Sequence, residues 1–480
     1  MAKLGIIHIG LLVILLGVYG AAQDSSQPGT TPAPAFGQSA PVLSPDNPPL
    51  SGLDEPGLEL KRASRSFISP AIQIGEAADT NENNQLGINN VQPVSHVLGA
   101  LDLQKFWSKD DLFLEYLGGG AFQTKPKYNA QQLQAFGMEA ITRWRTGYLE
   151  LRDAFQYVPD GAFDTGGLAG GTPGLGIAYG LGTGEAEGGV PGIMRFNSLN
   201  DVVADIPRLA NVAVADVVQA ISPRSAFTLV GAFGDSHFFD NSCSQPATAP
   251  GCLINGDQTT VEGGYSHLIS RRDQIAGVYA YQVFRFPYNT GGEIYNQVFN
   301  LRWSHTITGR LRLIIGLGPQ YTDLQYGVAS PQWSLSGRAS LRYQFAHSSL
   351  VASWEKFTSA GSGYFAGADT QVARLAYRRP LGRTFVVTTD LDYSHSQRLQ
   401  APIGTDYTFN NFDAGSAGIV VRKHIGRTYD VFATYRFSEV GLNAPVSTAN
   451  CASTLGCGTI AQRHQGAVGL EWHPRPTRIE

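Results

Sequence analysis

Three serine–histidine neighbours, Ser266-His267, Ser304-His305 and Ser394-His395, are the residues whose types best suit nucleophilic chemistry. A hydroxyl is activated when an imidazole within hydrogen-bond reach takes its proton. Each pair sits in a stretch that alternates apolar with polar residues, the period of a β-strand, where successive side chains point to opposite faces. Such neighbours cannot act on one group. The sequence has no GxSxG or HExxH, and no paired carboxylates in a buried setting. The expectation is therefore a non-enzyme without cofactor, with an outer-membrane hydrolase as one alternative.

The other candidate ligands point away from metals and nucleotides. Cys243 with Cys252, and Cys451 with Cys457, form two close pairs in Pro/Ser/Gly/Asn-rich segments, without the CxxC spacing or paired histidines of a zinc site. Two local disulfides across surface loops are expected, in an oxidising compartment. No metal site is expected: Asp79-Thr-Asn-Glu-Asn83 opens like a calcium loop, but Asn84 and Asn90 stand where glycine and glutamate are required. A glycine run lies between Pro159 and Leu209 without the lysine of a phosphate-binding loop. It reads as a long external loop, which carries Phe163, Glu185, Glu187, Asp201 and Asp205.

Arginine is the residue with the clearest positional logic. In Trp333–Phe345 every second residue is apolar or small (Trp333, Leu335, Gly337, Ala339, Leu341, Tyr343, Phe345), and Arg338 and Arg342 lie on the other face. Extending that alternation puts Arg143, Arg152, Arg302, Arg312, Arg338, Arg342, Arg374, Arg378, Asp390, Asp392 and Arg436 in the polar register. In a pore such arginines can steer anions; as wall residues they can instead pair with wall carboxylates.

The elements that hold them are hairpins. Ile307-Thr-Gly-Arg310, Leu381-Gly-Arg-Thr384 and Ile425-Gly-Arg-Thr428 join alternating runs by tight turns, and Ser222-Pro-Arg-Ser225 and Ser270-Arg-Arg-Asp273 look like the same device. Between hairpins the connections are longer, so one end carries short turns and the other long loops. Eighteen strands are predicted, from 66–76 to 461–473, with sixteen possible because SFISPAIQIGE is weak. Each run meets the 9–11 residues a tilted strand needs to cross a bilayer. A soluble sandwich or propeller is the rival, although its strands are usually shorter. A charge on a lipid face costs roughly 2–4 kcal/mol at mid-bilayer, which accounts for arginines confined to one register.

Ahead of the hairpins, Lys3, the apolar run Leu4–Val18 and the small residues before Gln23 read as a signal peptide over 1–23, with an uncleaved anchor as the alternative. Residues 24–62 read as a disordered Pro/Ser/Gly-rich periplasmic linker, and 63–480 as the barrel. After the leader no apolar run is long enough for a membrane helix. A net charge of −4, from 35 basic and 39 acidic residues, argues against nucleic acid as a partner.

Taken together, the leader, the hairpin meander, the aromatic strand ends and the closing stretch His464–Trp472 resemble a Gram-negative outer-membrane β-barrel of the porin type. The resemblance implies an all-β, transmembrane, up-and-down antiparallel barrel in the outer membrane. It implies outer-membrane lipid and the barrel-assembly machinery as partners, and passive passage or export of a small polar or anionic solute. A plugged structural or adhesive barrel is a further alternative; solute and oligomeric state stay open. The resemblance also implies that the 159–209 loop folds inward to narrow the pore, with Phe163, Glu185, Glu187, Asp201 and Asp205 as constriction candidates, and makes Gly466, Val468, Leu470 and Trp472 an assembly-signal strand, although HPRPTRIE follows where such chains normally end.

Overall fold

The computed structural model describes residues 50–51, 66–80, 91–123, 131–158, 208–239, 255–286, 292–325, 331–360, 366–399, 411–442 and 460–479. The constriction candidates Phe163, Glu185, Glu187, Asp201 and Asp205, the four cysteines and the leader lie outside them.

Strands form wherever the apolar–polar alternation runs. They are β1 (Phe67–Asp79), β2 (Gln92–Phe106), β3 (Asp110–Gln123), β4 (Gln131–Trp144), β5 (Gly147–Val158) and β6 (Arg208–Ser222). Next come β7 (Ser225–Phe238), β8 (Gly256–Leu268), β9 (Asp273–Arg285), β10 (Glu293–Thr308), β11 (Leu311–Leu324) and β12 (Gln332–Gln344). The last are β13 (Ser349–Ser359), β14 (Ala368–Leu381), β15 (Phe385–Arg398), β16 (Asn411–Ile425), β17 (Tyr429–Leu442) and β18 (Ile460–Trp472), with a two-residue β19 (Thr477–Arg478). Each strand pairs antiparallel with its sequence neighbours, and β1 pairs with β18, so the sheet closes on itself. Among the described residues no helix is long and apolar enough to cross a membrane.

The short turns are built as their sequences suggest. Gly382 and Gly426 adopt φ of +73° and +70°, left-handed values that glycine meets without a steric penalty, and each starts the turn of an Ile/Leu-Gly-Arg-Thr connector. The weak first strand is real. β1 pairs with β2 along its whole length, while on the other side it pairs with β18 from Ile72 and with β19 at Phe67 and Ile68. Pro70 falls in the gap between those two pairings, a position that tolerates a missing N–H. The residues after Trp472 that are described, 473–479, thus have a place: they turn back onto the base of β1.

The two faces of the wall are sharply different. Leu301, Leu317, Leu335 and Val468 point outward and are 56–66% exposed. They are flanked near the short turns by Trp144, Tyr265, Trp303, Phe345, Tyr429 and Trp472, and further up by Phe233, Tyr281, Trp333 and Tyr393. An apolar belt between two aromatic girdles around a closed antiparallel barrel is the outer-membrane type of surface. Val468, Leu470 and Trp472 belong to that belt on β18.

The inward face holds the charges, and one finding there differs from expectation. In the half of β2–β7 furthest from the short turns the inward side chains are mostly apolar, with buried His96 among them: Leu98, Leu117, Leu133, Val212, Val214 and Val230 form one buried cluster with small neighbours. Two residues of the stretch read as a linker, Leu50 and Ser51, are buried inside the barrel.

Replacing outward Leu317 with arginine should destabilise the barrel in lipid vesicles by about 2–4 kcal/mol. Urea unfolding of Leu317→Arg against wild type, with Leu317→Ala as the size control, measures it.

Candidate functional site: the barrel lumen

The site begins with a rule of the pleat: residues two apart on one strand, and residues opposite each other on adjacent strands, share a face. Inward arginines therefore meet inward carboxylates from the next strand or the next but one. Arg302 on β10 reaches Glu262 on β8 at 3.3 Å, with each side chain only 1% exposed. Arg338 on β12 reaches Glu355 on β13 at 3.6 Å, and Arg374 on β14 reaches Asp392 on β15 at 2.9 Å. Arg436 on β17 lies 3.3 Å from Asp390 and 3.8 Å from Asp392. Arg422 on β16 bridges Asp430 on β17 at 3.2 Å and Glu471 on β18 at 3.1 Å. On the opposite wall Arg152 meets Glu150 at 3.2 Å and Arg143 meets Asp111 at 2.5 Å.

All eleven pore-lining candidates face inward, as the register of their strands requires. Ten of them have a side-chain bond or another polar interaction. Among the described residues Arg342 has no such contact, and it stands directly opposite Arg312 across β11 and β12. Like charges facing each other in a sheet repel unless something neutralises them. Arg312 donates to Ser304 Oγ at 3.1 Å. Sequence reasoning missed Arg422, Arg463, Glu262 and Glu355, all inward. The alternation would have found them, since each continues the polar register of its own strand.

Above the charged tier the wall of β8–β12 carries uncharged polar groups: Gln258, Thr260, Gln282, Asn296, Asn300, Gln320 and Thr322. They bond among themselves, as in Asn296 Nδ2 to Gln282 Oε1 at 2.7 Å and Thr322 Oγ1 to Asn296 Oδ1 at 3.1 Å. Beside this tier, beginning at β7, stands the apolar cluster of β2–β7. The interior is therefore two-sided, amide and hydroxyl against aliphatic.

The serine–histidine neighbours separate as the strand geometry demands: Ser266, Ser304 and Ser394 are buried inward, and His267, His305 and His395 face out. The histidines find partners across strands instead. His305 Nδ1 lies 2.7 Å from Asp273 Oδ1 on the membrane rim, and His395 Nδ1 lies 2.9 Å from Asp413 Oδ1. His267 Nδ1 lies 2.9 Å from Ser225 Oγ, which also accepts from Tyr265. That serine–histidine contact spans β7 and β8, and Nδ1, the nitrogen a catalytic dyad would give to an acid, is the one that faces the hydroxyl. Among the described residues no group of three His, Cys, Asp or Glu side chains is placed to hold a metal ion.

No protein-family model matches the chain, and no curated protein matches it. Solved structures do match. One is OccK9 (OpdG) from Pseudomonas aeruginosa, 11% identical over 86% of this chain and 98% of that one, TM-score 0.40. Others are the FrpB iron transporter from Neisseria meningitidis, at 9% identity, 81% and 66% coverage and TM-score 0.38, and the ferric citrate transporter FecA, at 11%, 85% and 64%, and 0.39. The chain spans just under two thirds of the length of FrpB and of FecA.

Next to the seam, β16, β17 and β18 are held to one another by charge as well as by backbone bonds. Asp430 takes Arg422, His424 Nδ1 at 2.6 Å and His473 Nε2 at 3.6 Å. Removing one partner of a buried ion pair leaves the other charge stranded, at a cost of about 3–5 kcal/mol. Arg422→Ala takes the guanidinium from buried Glu471 and leaves Asp430 to its histidines, and should lower barrel stability by that amount, read from the urea midpoint.

His473, just beyond β18, is raised above the ordinary imidazole value by its bond to Asp430 and by that carboxylate's charge. Its contribution is complete below about pH 6.5, the unfolded value, and is lost as pH rises through the folded one. The wild-type advantage over His473→Gln should therefore be present at pH 5.5 and gone at pH 9, by paired urea titrations.

Proposed function

We propose that the barrel is an outer-membrane channel for passive passage of small polar solutes, favouring anions. The observation that carries the anion preference is the pairing of Arg312 with Arg342 across adjacent strands near the short-turn mouth. Arg378, inward on β14, adds a third guanidinium on the same side of the lumen. Arg143, Arg152, Arg302, Arg338, Arg374, Arg422 and Arg436 each lie within ion-pair distance of a carboxylate and hold the wall together. A like-charged pair facing an aqueous bore is different: an anion that enters is drawn to it, and focused potentials of this kind raise local counter-ion concentration. The apolar belt and aromatic girdles support the membrane setting, and the 18-stranded circumference supports a bore too wide for wall side chains to fill on their own. The amide and hydroxyl tier fits a solute rich in hydrogen-bonding groups more than an ion alone.

The test is reversal potential in a planar bilayer under a potassium chloride gradient. The wild-type barrel should pass chloride in preference to potassium. Arg342→Glu, which turns the repelling pair into an attracting one, should reduce that preference several-fold and leave the folded barrel intact. A cation-selective wild type, or a preference indifferent to Arg342→Glu, refutes the reading.

A further inference from the structure

We propose that the inward wall of β7–β11 is a docking seat for the chain's own N-terminal segment, and that Leu50–Ser51, seated there, narrow the pore. The seat is specific. Ser51 is fully buried, with Oγ 2.7 Å from Thr228 Oγ1 on β7. The Leu50 carbonyl accepts from Arg302 Nη1 at 3.4 Å. Its side chain packs on Ala276, Val278 and Ile314, an apolar pit in a wall whose other inward residues are mostly amides, hydroxyls and charges. A leucine is what such a pit takes.

Two features of the wall make sense only with the seat filled. A Cβ built on Gly264 would lie 2.6 Å from Ser51 Cβ, so this mid-strand glycine leaves the room the segment occupies. The Glu262–Arg302 pair is 1% exposed, far drier than a pair lining an open aqueous bore. Leu50 lies over it and returns a hydrogen bond. The occupant comes from the same barrel by reach. Sixteen peptide steps separate Ser51 from Phe67, about 55 Å extended. An 18-stranded barrel of ordinary spacing and tilt is about 36 Å across. β9, the centre of the seat, stands half-way round the wall from β1, within that span.

The consequence for flow rests on the channel reading above; the seat does not. Ser51→Cys combined with Thr228→Cys tests the seat: mild oxidation should link the two in the folded barrel and not in urea, read by mass of the joined peptides. Conductance tests the consequence. Gly264→Ala, which removes the room and suits a strand at least as well as glycine, should raise single-channel conductance several-fold above wild type. The linked double variant should conduct no more than wild type. Absence of the link in folded protein overturns the seat. A link accompanied by equal conductance in wild type, linked protein and Gly264→Ala overturns the narrowing. A barrel that links but carries no current in any form, Gly264→Ala included, keeps the seat and sinks the channel.

Discussion

Hydrocarbon offers no hydrogen bonds, so every peptide group at that depth must be satisfied by another strand. This single constraint explains the even strand count, the absence of a free edge, and the pairing of β1 with β18 despite nearly four hundred residues of chain between them. It also fixes the alternation. Once the sheet closes, one register faces lipid and the other faces inward, and the cost of a charge in the wrong one keeps Arg302, Arg338 and Arg436 where they are.

Inside, the same closure creates a second problem. Charges gathered on the concave face are shielded from bulk water and must find each other. The solution is a chain of pairs around half the circumference, Glu262–Arg302, Arg338–Glu355, Arg374–Asp392–Arg436 and Arg422 with its two carboxylates. Arg338–Glu355 and Arg374–Asp392 tie the strands of one hairpin, while Glu262–Arg302, Asp392–Arg436 and Arg422–Glu471 link neighbouring hairpins, so the pattern works as a girdle of side chains beneath the backbone ladder. The other half sets aliphatic packing above two such pairs, Arg152–Glu150 and Arg143–Asp111.

Local patterns made most of this legible. Strand positions follow from period-2 alternation, and boundaries from glycine turns such as Leu381–Thr384, because both depend on residues close in sequence. The inward placement of Arg312 and Arg342 follows from the same parity. What stayed hidden depends on distance in sequence. Which carboxylate meets Arg422 is set by stagger between strands, and β18 lies almost fifty residues beyond it. The apolar sector was visible as lost alternation in Val97–Leu101 and in Val212–Val218, where both faces are greasy, but nothing local says that the inner one packs rather than meets water. Leu50 and Ser51 sit in a stretch with no periodicity at all, and their placement rests on Gly264 and a pit formed by two other strands, β9 and β11.

The β19 clip gives the seam a polarity. From Ile72 to Asp79 β1 is zipped to β18, and below a short gap a separate pair of residues fastens its foot. A zipper pinned at its base parts from the top. Fraying between the first and last strands should therefore begin in the leaflet facing away from the short turns, and the tail that outlasts Trp472 makes the opposite leaflet the hinge.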